Sequence, residues 1–431
     1  MIGDPQSSNS YHASAQDCVP VMTAPNRRPM LVLLLLSALI ISLSMGLRQS
    51  LGLFLPPVTL DLGISAAAFS FSLALQNIVW GISQPFVGAL ADRYGARPVL
   101  VATALTYAAG LLLMVYSKGA LGLDVAGFLT GVGVAGTGFG VLIGVVARAA
   151  PPERQSQTVG AVAAAGSLGT LILAPVGQAL IDSFGWRAAL IVFAGVAFSM
   201  ILFSLPIRDP APARDAKIPV TPQGLGEALR EAMGHRGYLA MTVAFFACGF
   251  QLIFITTHLP QYLLLCGVAP GVGASALALI GLFNTVGTYA FGLLGARYSQ
   301  KRLLALIYLL RTLFIVAFVL LPVSAGSTLV FAAAMGLLWL GVAPLVTGII
   351  ARVFGLTHFN TLNGVVFLSH QVGSFCGAWM GGLVFDFTGS YDVGWAALVA
   401  VGAIAFLLQW TMDDRPPAVR RPAAGAVPAT A

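Results

Sequence analysis

Two arginines stand inside long apolar runs: Arg48 within LVLLLLSALIISLSMGLRQSLGLFL and Arg311 within LLALIYLLRTLFIVAFVL. An ionised side chain in such surroundings is costly, and a function or a dedicated partner usually accounts for it. A guanidinium offers planar donors that match a carboxylate through two parallel hydrogen bonds. Arg48 is therefore read as an anion ligand, although its stem could also snorkel to the edge of an apolar layer. Arg311 sits near the middle of its run. A carbonyl or polar group of its own half of the chain is the expected partner, rather than a bound ligand. Polar residues at helical spacing add to the picture. Gln251 and His258 lie seven apart, on one helical face. Asn363, Phe367, His370 and Ser374 form a second stripe, Gln76, Trp80 and Gln84 a third, and Asn284 with Thr288 a fourth. The expected binding set is Arg48, Gln251, His258, Asn284 and His370. Each stripe also fits plain interhelical hydrogen bonding, worth about 1 kcal/mol or less per bond. The histidines can carry a proton as well. Asp61, Asp92, Asp124, Asp182 and Asp386 all fall at the ends of apolar runs or in loops, so no carboxylate is expected where a cation would be held. The balance favours an anion. Any proton coupling would use a histidine, a helix-end acid or the substrate's own carboxylate.

These residues need elements to position them. The chain has 431 residues, 58% of them hydrophobic and 9% charged, with a mean hydropathy of +0.90. A soluble core has no use for so much apolar surface, whereas a lipid-spanning helix needs roughly 20 apolar residues. Twelve such runs are predicted, at 31–55, 68–90, 98–117, 121–147, 156–180, 187–205, 238–264, 274–295, 303–322, 327–351, 361–385 and 393–411. The short alternating segments of a membrane barrel are absent. The fold class is all-α and polytopic, with the lipid bilayer as partner.

The net charge of +7 does not point to nucleic acid, because the positive residues follow the loops. Of the 22 Lys and Arg residues, all except Arg48, Lys118, Arg187 and Arg311 fall in the tails or in alternate loops. The positive-inside rule then puts both termini in the cytoplasm. Residues 1–29 lack an apolar stretch with a cleavage site, so an uncleaved first helix in a bacterial inner (plasma) membrane is expected. Cys18, Cys248, Cys266 and Cys376 show no CxxC spacing. No metal set, cofactor loop or nucleophile–base pair is found, so neither an enzyme nor a metal or cofactor protein is expected.

The polar, Pro-rich stretch 206–237 separates six runs from six. The expected organisation is a tail at 1–29, a six-helix half at 30–205, a linker at 206–237 with a short surface helix near 223–233, a second half at 238–411 and a tail at 412–431. The halves look repeated. An offset of 204 positions carries GALADRYGARPVL at 88 onto GLLGARYSQKRLL at 292, Leu55-Pro56 onto Leu259-Pro260, Gly63 onto Gly267, and Gly177 and Asp182 onto Gly381 and Asp386. Two six-helix halves in parallel repeat are a transporter architecture with a site between them. The glycines Gly127, Gly131, Gly136, Gly140 and Gly144 read as close helix packing, not as a phosphate loop.

GALADRYGARPVL, between runs 2 and 3, closely resembles the loop motif of the major facilitator superfamily. The resemblance implies an alternating-access transporter in which Gly88, Asp92, Arg93, Gly95 and Arg97 set the conformational balance. Glycine would allow a tight turn and close helix approach. Asp92 would pair in one state and lose its partner in the other. The second copy carries Ala296 in place of Asp92. RQSLGLFLPPVTLDLGIS, FGWRAAL, CGFQLIFITTHLPQYL and DFTGSYD resemble the monocarboxylate and oxalate–formate branch. Members of that branch often have an acid and an arginine four apart in helix 8, where this chain has Asn284 and Thr288. The run at 166–182 also lacks the Gly-Pro pair of the drug-antiporter motif. The implied function is proton-coupled transport of small organic anions, monocarboxylates in particular, by a monomer. An exporter of hydrophobic compounds and a non-transporting membrane sensor are the alternatives.

Overall fold

The computed structural model describes residues 27–150, 155–207, 224–355 and 358–415. The outer parts of both tails and most of the linker, with Cys18, Arg154, Arg208, Arg214, Lys217, Arg420 and Arg421, lie outside them. All regular structure among the described residues is helical, which in lipid is how an open chain satisfies its backbone internally.

The first crossing is α1 (Arg27–Ser50), a 3-10 turn (Leu51–Phe54) and α2 (Leu55–Leu62), ending at Gly63 with φ 61°. The next three are α3 (Ala66–Tyr94), α4 (Ala96–Tyr116), and α5 (Ala120–Thr137) continued after a break at Gly138 by α6 (Phe139–Ala149). α7 (Gln155–Ala165) and α8 (Leu168–Ser204) make two crossings, because α8 turns back at Gly185, φ 81° and ψ 164°. The linker carries α9 (Leu225–Gly234). The second half comprises α10 (Arg236–Leu265), α11 (Pro270–Arg297), α12 (Gln300–Leu320), α13 (Ala325–Leu338) with α14 (Val342–Phe354), α15 (Phe359–Thr388) and α16 (Asp392–Thr411). Ten segments are long and apolar enough to cross a bilayer by composition, and one of them, Gly160–Ser204, crosses twice. The remaining crossing, α15, is the most polar, with Asn363, Ser369, His370, Gln371 and Ser374 along it. The twelve expected runs are thus twelve crossings. Four of them, the first, fourth, fifth and tenth, are broken or bent where hydropathy alone shows one run.

The internal repeat is visible in the backbone. The left-handed glycines Gly63 and Gly267 (φ 61° and 74°) correspond at the 204 offset, as do Gly185 and Gly389 (φ 81° and 69°). The break at Gly138 corresponds to the one at Trp339–Gly341.

Glycines bring helices into backbone contact. A Cβ on Gly127 or Gly131 of α5 would strike the Ser72 or Gln76 carbonyl of α3, and one on Gly133 or Gly136 would strike Tyr107 or Thr103 of α4. Close packing is thus found at the expected Gly127, Gly131 and Gly136 and also at Gly133, whereas a Cβ on Gly140 or Gly144 would come nearest the Gln84 or Arg148 side chain. Within the second half, Gly373 and Gly377 of α15 lie against the Phe246 and Phe250 carbonyls of α10. The halves meet along α3 with α15 and along α7–α8 with α11. These seams also approach at glycines: Gly52 on the Thr256 carbonyl, Gly382 on Ser70, Gly281 on the Ser167 carbonyl, and Gly81 on the Gln371 side chain.

Candidate functional site

Helix α1 ends its regular part just beyond Arg48, and the 3-10 turn at Leu51–Phe54 lets α1 lean onto α10 at Gly52. Arg48 thereby points into a small cavity on the seam between the halves. The cavity is lined from the first half by Arg48, Gln49, Leu73, Gln76 and Asn77, and from the second by Ile253, Thr256 and Thr257. Arg48 Nη1 donates to Asn77 Oδ1 at 2.8 Å, and the guanidinium lies over the Trp80 ring at 5.0 Å. Its Nε is buried without a partner, as is Gln76 Nε2. Among the described residues no carboxylate pairs with Arg48, so the seam holds a cation whose charge is met only by an amide oxygen and an aromatic face.

The rest of the set expected from the sequence is distributed differently. Gln251 and His258 are fully buried but face away from this cavity. Gln251 Nε2 donates to the Leu398 carbonyl of α16 at 3.1 Å. His258 Nε2 donates to the Ala378 carbonyl of α15 at 2.7 Å, and its Nδ1 lies 3.2 Å from Tyr391 Oη. Gln251 and His258 share one face of α10, and that face is turned into its own half. At about 100° per residue the opposite face carries Ile253, Thr256 and Thr257, and this one meets Arg48. The structure therefore does not bring Gln251 and His258 together with Arg48.

Asn284 sits on the other seam. Its Nδ2 donates to Ser167 Oγ of the first half at 2.8 Å, and its Oδ1 accepts from Leu340 N at 2.9 Å and Thr288 Oγ1 at 3.1 Å. It joins the halves and satisfies the broken backbone between α13 and α14. Arg311 serves the same break. Its Nε and Nη2 donate to the Leu338 carbonyl at 3.1 and 2.6 Å, and Nη2 also reaches the Trp339 carbonyl. The partner of Arg311 is thus a pair of carbonyls in its own half, as expected.

His370 is linked to Arg48 through two residues that the sequence reading passed over. Its Nδ1 lies 3.2 Å from Gln371 Oε1, and Gln371 Nε2 donates across the seam to the Asn77 carbonyl at 2.9 Å. Asn77 Nδ2 donates to the Leu73 carbonyl at 2.7 Å, which fixes its Oδ1 toward Arg48. Asn77 lies beside the stripe of Gln76, Trp80 and Gln84, and Gln371 beside His370. Amides flanking a marked stripe are the only sequence signal for either.

The loop motif lies at the far end of α3. Gly95 adopts φ 91° and turns the chain into α4. A Cβ on Gly88 would meet nothing within 4 Å, so in this state Gly88 serves no close approach, contrary to expectation. Asp92 pairs with Arg148 of its own half at 3.2 Å, Arg93 lies over Tyr94 at 5.2 Å, and Arg97 Nε donates to the Ile207 carbonyl at 3.2 Å. At the opposite end of the molecule an acid does bridge the halves. Asp386 of α15 accepts from Ala66 N and Ala67 N, the first turn of α3, at 3.0 and 2.8 Å. Negative charge at a helix N-terminus is favourable. That end is therefore closed.

Twelve crossings in two repeated halves, with a polar seam between them, have relatives among known proteins. A model described as Major Facilitator Superfamily matches residues 34–344. This chain belongs to the major facilitator superfamily. It is similar to monocarboxylate transporter 11 of Mus musculus, 28% identical over 363 residues, covering 81% of this chain and 80% of that one. It is also similar to the uncharacterized MFS-type transporter YcxA of Bacillus subtilis, 26% identical over 366 residues, covering 80% and 85%. Among solved structures, an inward-facing, unoccupied bacterial homolog of the human lysosomal transporter Spinster shares the fold, with TM-score 0.73, 16% identity and coverage of 91% and 99%. The chain is a membrane transporter of this superfamily and not an enzyme.

Proposed function

We propose that this superfamily member carries small organic anions, monocarboxylates in particular, by alternating access around Arg48. The observation that carries the reading is a guanidinium on the seam between the halves with one unpaired buried nitrogen and no carboxylate among its described partners. A carboxylate matches the guanidinium in charge and in its two parallel hydrogen bonds, and the cavity, which has room for about one water, must widen to admit it. Gln76 Nε2, unpaired on the same cavity, supplies a further donor, and Thr256 and Thr257 supply hydroxyls. The similarity to a protein named as a monocarboxylate transporter agrees with this chemistry. His370 is the proposed proton carrier for symport, since its described bonds are made at Nδ1 and it is tied to Arg48 through Gln371 and Asn77. Asn284 is proposed to hold the second seam rather than the anion. Asp92, Arg93 and Arg97, with the turn at Gly95, are proposed to balance the end nearer the linker, and Asp386 the opposite end. The end nearer the linker is proposed to be cytoplasmic, in a bacterial inner membrane, with the protein acting as a monomer.

The test is a melting screen of purified protein with acetate, pyruvate, benzoate, neutral sugars and lipophilic cations. A ligand that binds the native state raises the melting temperature, by about 2.7 kcal/mol equivalent at a hundredfold excess over Kd. Stabilisation by carboxylates in the wild type, lost in Arg48→Gln, is the expected result. Stabilisation by lipophilic cations equally in both proteins would overturn the reading in favour of hydrophobic-compound export.

A further inference from the structure

Asn77 is not an ordinary seam residue. Its amide is held at both ends, Nδ2 on the Leu73 carbonyl and Oδ1 on Arg48, while its backbone carbonyl accepts Gln371 Nε2 from the other half. Gly81 makes this last bond possible, because a Cβ there would lie 2.8 Å from the Gln371 Cβ and Cγ. A carboxylate that takes the end of the guanidinium through two parallel hydrogen bonds claims Nη1, the nitrogen that Asn77 Oδ1 now holds. An unpaired guanidinium within the membrane is expensive to carry through a conformational change. With Oδ1 in place, Arg48 keeps a polar partner at Nη1 even though its Nε has none.

We propose that Asn77 is the internal stand-in for the substrate's carboxylate: it satisfies Arg48 while the carrier is empty, yields to the anion on binding, and so permits the empty carrier to reorient. This rests on the assignment of Arg48 as the anion ligand. Because Gln371 bonds the carbonyl of the same residue, the exchange of partners at Arg48 is felt directly by α15 in the other half. Without the stand-in, only a loaded carrier would cross, and the protein would behave as an obligatory exchanger. Removing the competitor also strengthens anion binding, by about tenfold, the fold-change that one hydrogen bond to a charged group is worth.

The test needs no knowledge of the natural substrate. Cys18, Cys248, Cys266 and Cys376 are replaced by serine, and Ser70→Cys is introduced on α3, where the side chain is fully buried beneath Gly382 at the closed end. Labelling of this thiol by a membrane-impermeant maleimide then measures how often the empty carrier opens that end. Asn77→Ala is expected to slow labelling at least tenfold. A mixture of acetate, pyruvate and benzoate restores it, and so does the further change Arg48→Gln, which removes the charge that had no partner. Asn77→Asp, a permanent counter-charge, labels at the wild-type rate or faster and no longer responds to the mixture; it also serves where Asn77→Ala folds poorly. Empty-state labelling of Asn77→Ala at the wild-type rate would overturn the inference. So would slow labelling that Arg48→Gln leaves uncorrected, which marks a packing defect. Failure of the parent reading looks different: wild-type melting that no carboxylate shifts, whatever the labelling rates.

Discussion

Replacing Arg311 with leucine should unfold the protein more easily without touching its binding. The guanidinium is fully buried, and it supplies the donors for the Leu338 and Trp339 carbonyls where α13 gives way to α14. Broken backbone at membrane depth must be satisfied by neighbours, since lipid offers no hydrogen bonds. Leucine leaves both carbonyls bare, and each buried unsatisfied group costs about 1–3 kcal/mol, so the gross loss is about 2–6 kcal/mol. Removal of a buried charge offsets part of this, because an ion buried without a counter-ion is itself costly. Arg311 Nη1 has no partner, which enlarges that offset. A net loss of about 2 kcal/mol is expected, and at about 2–4 °C per kcal/mol for a unit of this size the melting temperature should fall by about 4–8 °C. Arg311→Gln, which keeps a donor, should fall by less. The measurement is a melt in detergent or nanodiscs, with and without carboxylate. The added stabilisation by carboxylate should survive in Arg311→Leu. A variant that melts within about 1 °C of wild type and has lost the carboxylate shift would refute the structural role and place Arg311 on the transport route.

Two further outcomes follow from contacts at the closed end and within the second half. Asp386→Ala removes a charged cap from two backbone N–H groups of α3. Such caps are worth about 0.5–2 kcal/mol, so the closed-to-open ratio should fall several-fold, read as faster maleimide labelling at Ser70→Cys; an unchanged rate would mean that this contact does not hold the end shut. Gly377→Ala drives a methyl into the Phe250 carbonyl of α10, a neighbour that no rotamer can move. A loss of about 1–3 kcal/mol is expected in the melt, and wild-type stability would show that α10 and α15 are not packed backbone to backbone.

The twelve crossings were legible because hydropathy must match membrane thickness, and the repeat because the same turns recur at Gly63 and Gly267 and at Gly185 and Gly389. The interruptions at Gly138 and Trp339–Gly341 were not. The first has no proline beside it, and the second has Pro344 only inside the first turn of α14; the second is also held by distant partners, Asn284 and Arg311. Arg48 was legible as an isolated charge, but its seam position depends on the 3-10 turn at Leu51–Phe54 and the approach of Gly52 to α10. The binding face of α10 was not legible, because that helix is polar on two sides. Periodicity groups Gln251 with His258, and Thr256 with Thr257, but says nothing about which group turns inward. Asn77 and Gln371 were missed for a related reason. Each stands next to a more eye-catching residue, and their meeting depends on the small profile of Gly81 on the facing helix.

The glycines on the two seams have a mechanical consequence. At Gly52, Gly81, Gly281 and Gly382 one half rests on the other through bare backbone, where most packed helices would mesh leucines like gear teeth. Teeth must withdraw before two bodies can turn, and each withdrawal exposes surface and raises the barrier. A smooth bearing needs no such step: the halves can roll over one another while staying in contact. The cost of each turnover then falls on the few bonds that cross among the described residues, at Asn77, Asn284, Thr285 and Asp386. Enlarging any of the four glycines would leave the resting shape nearly intact in the best case and still add friction, so that the lesion would surface in the turnover rate before it surfaced in affinity.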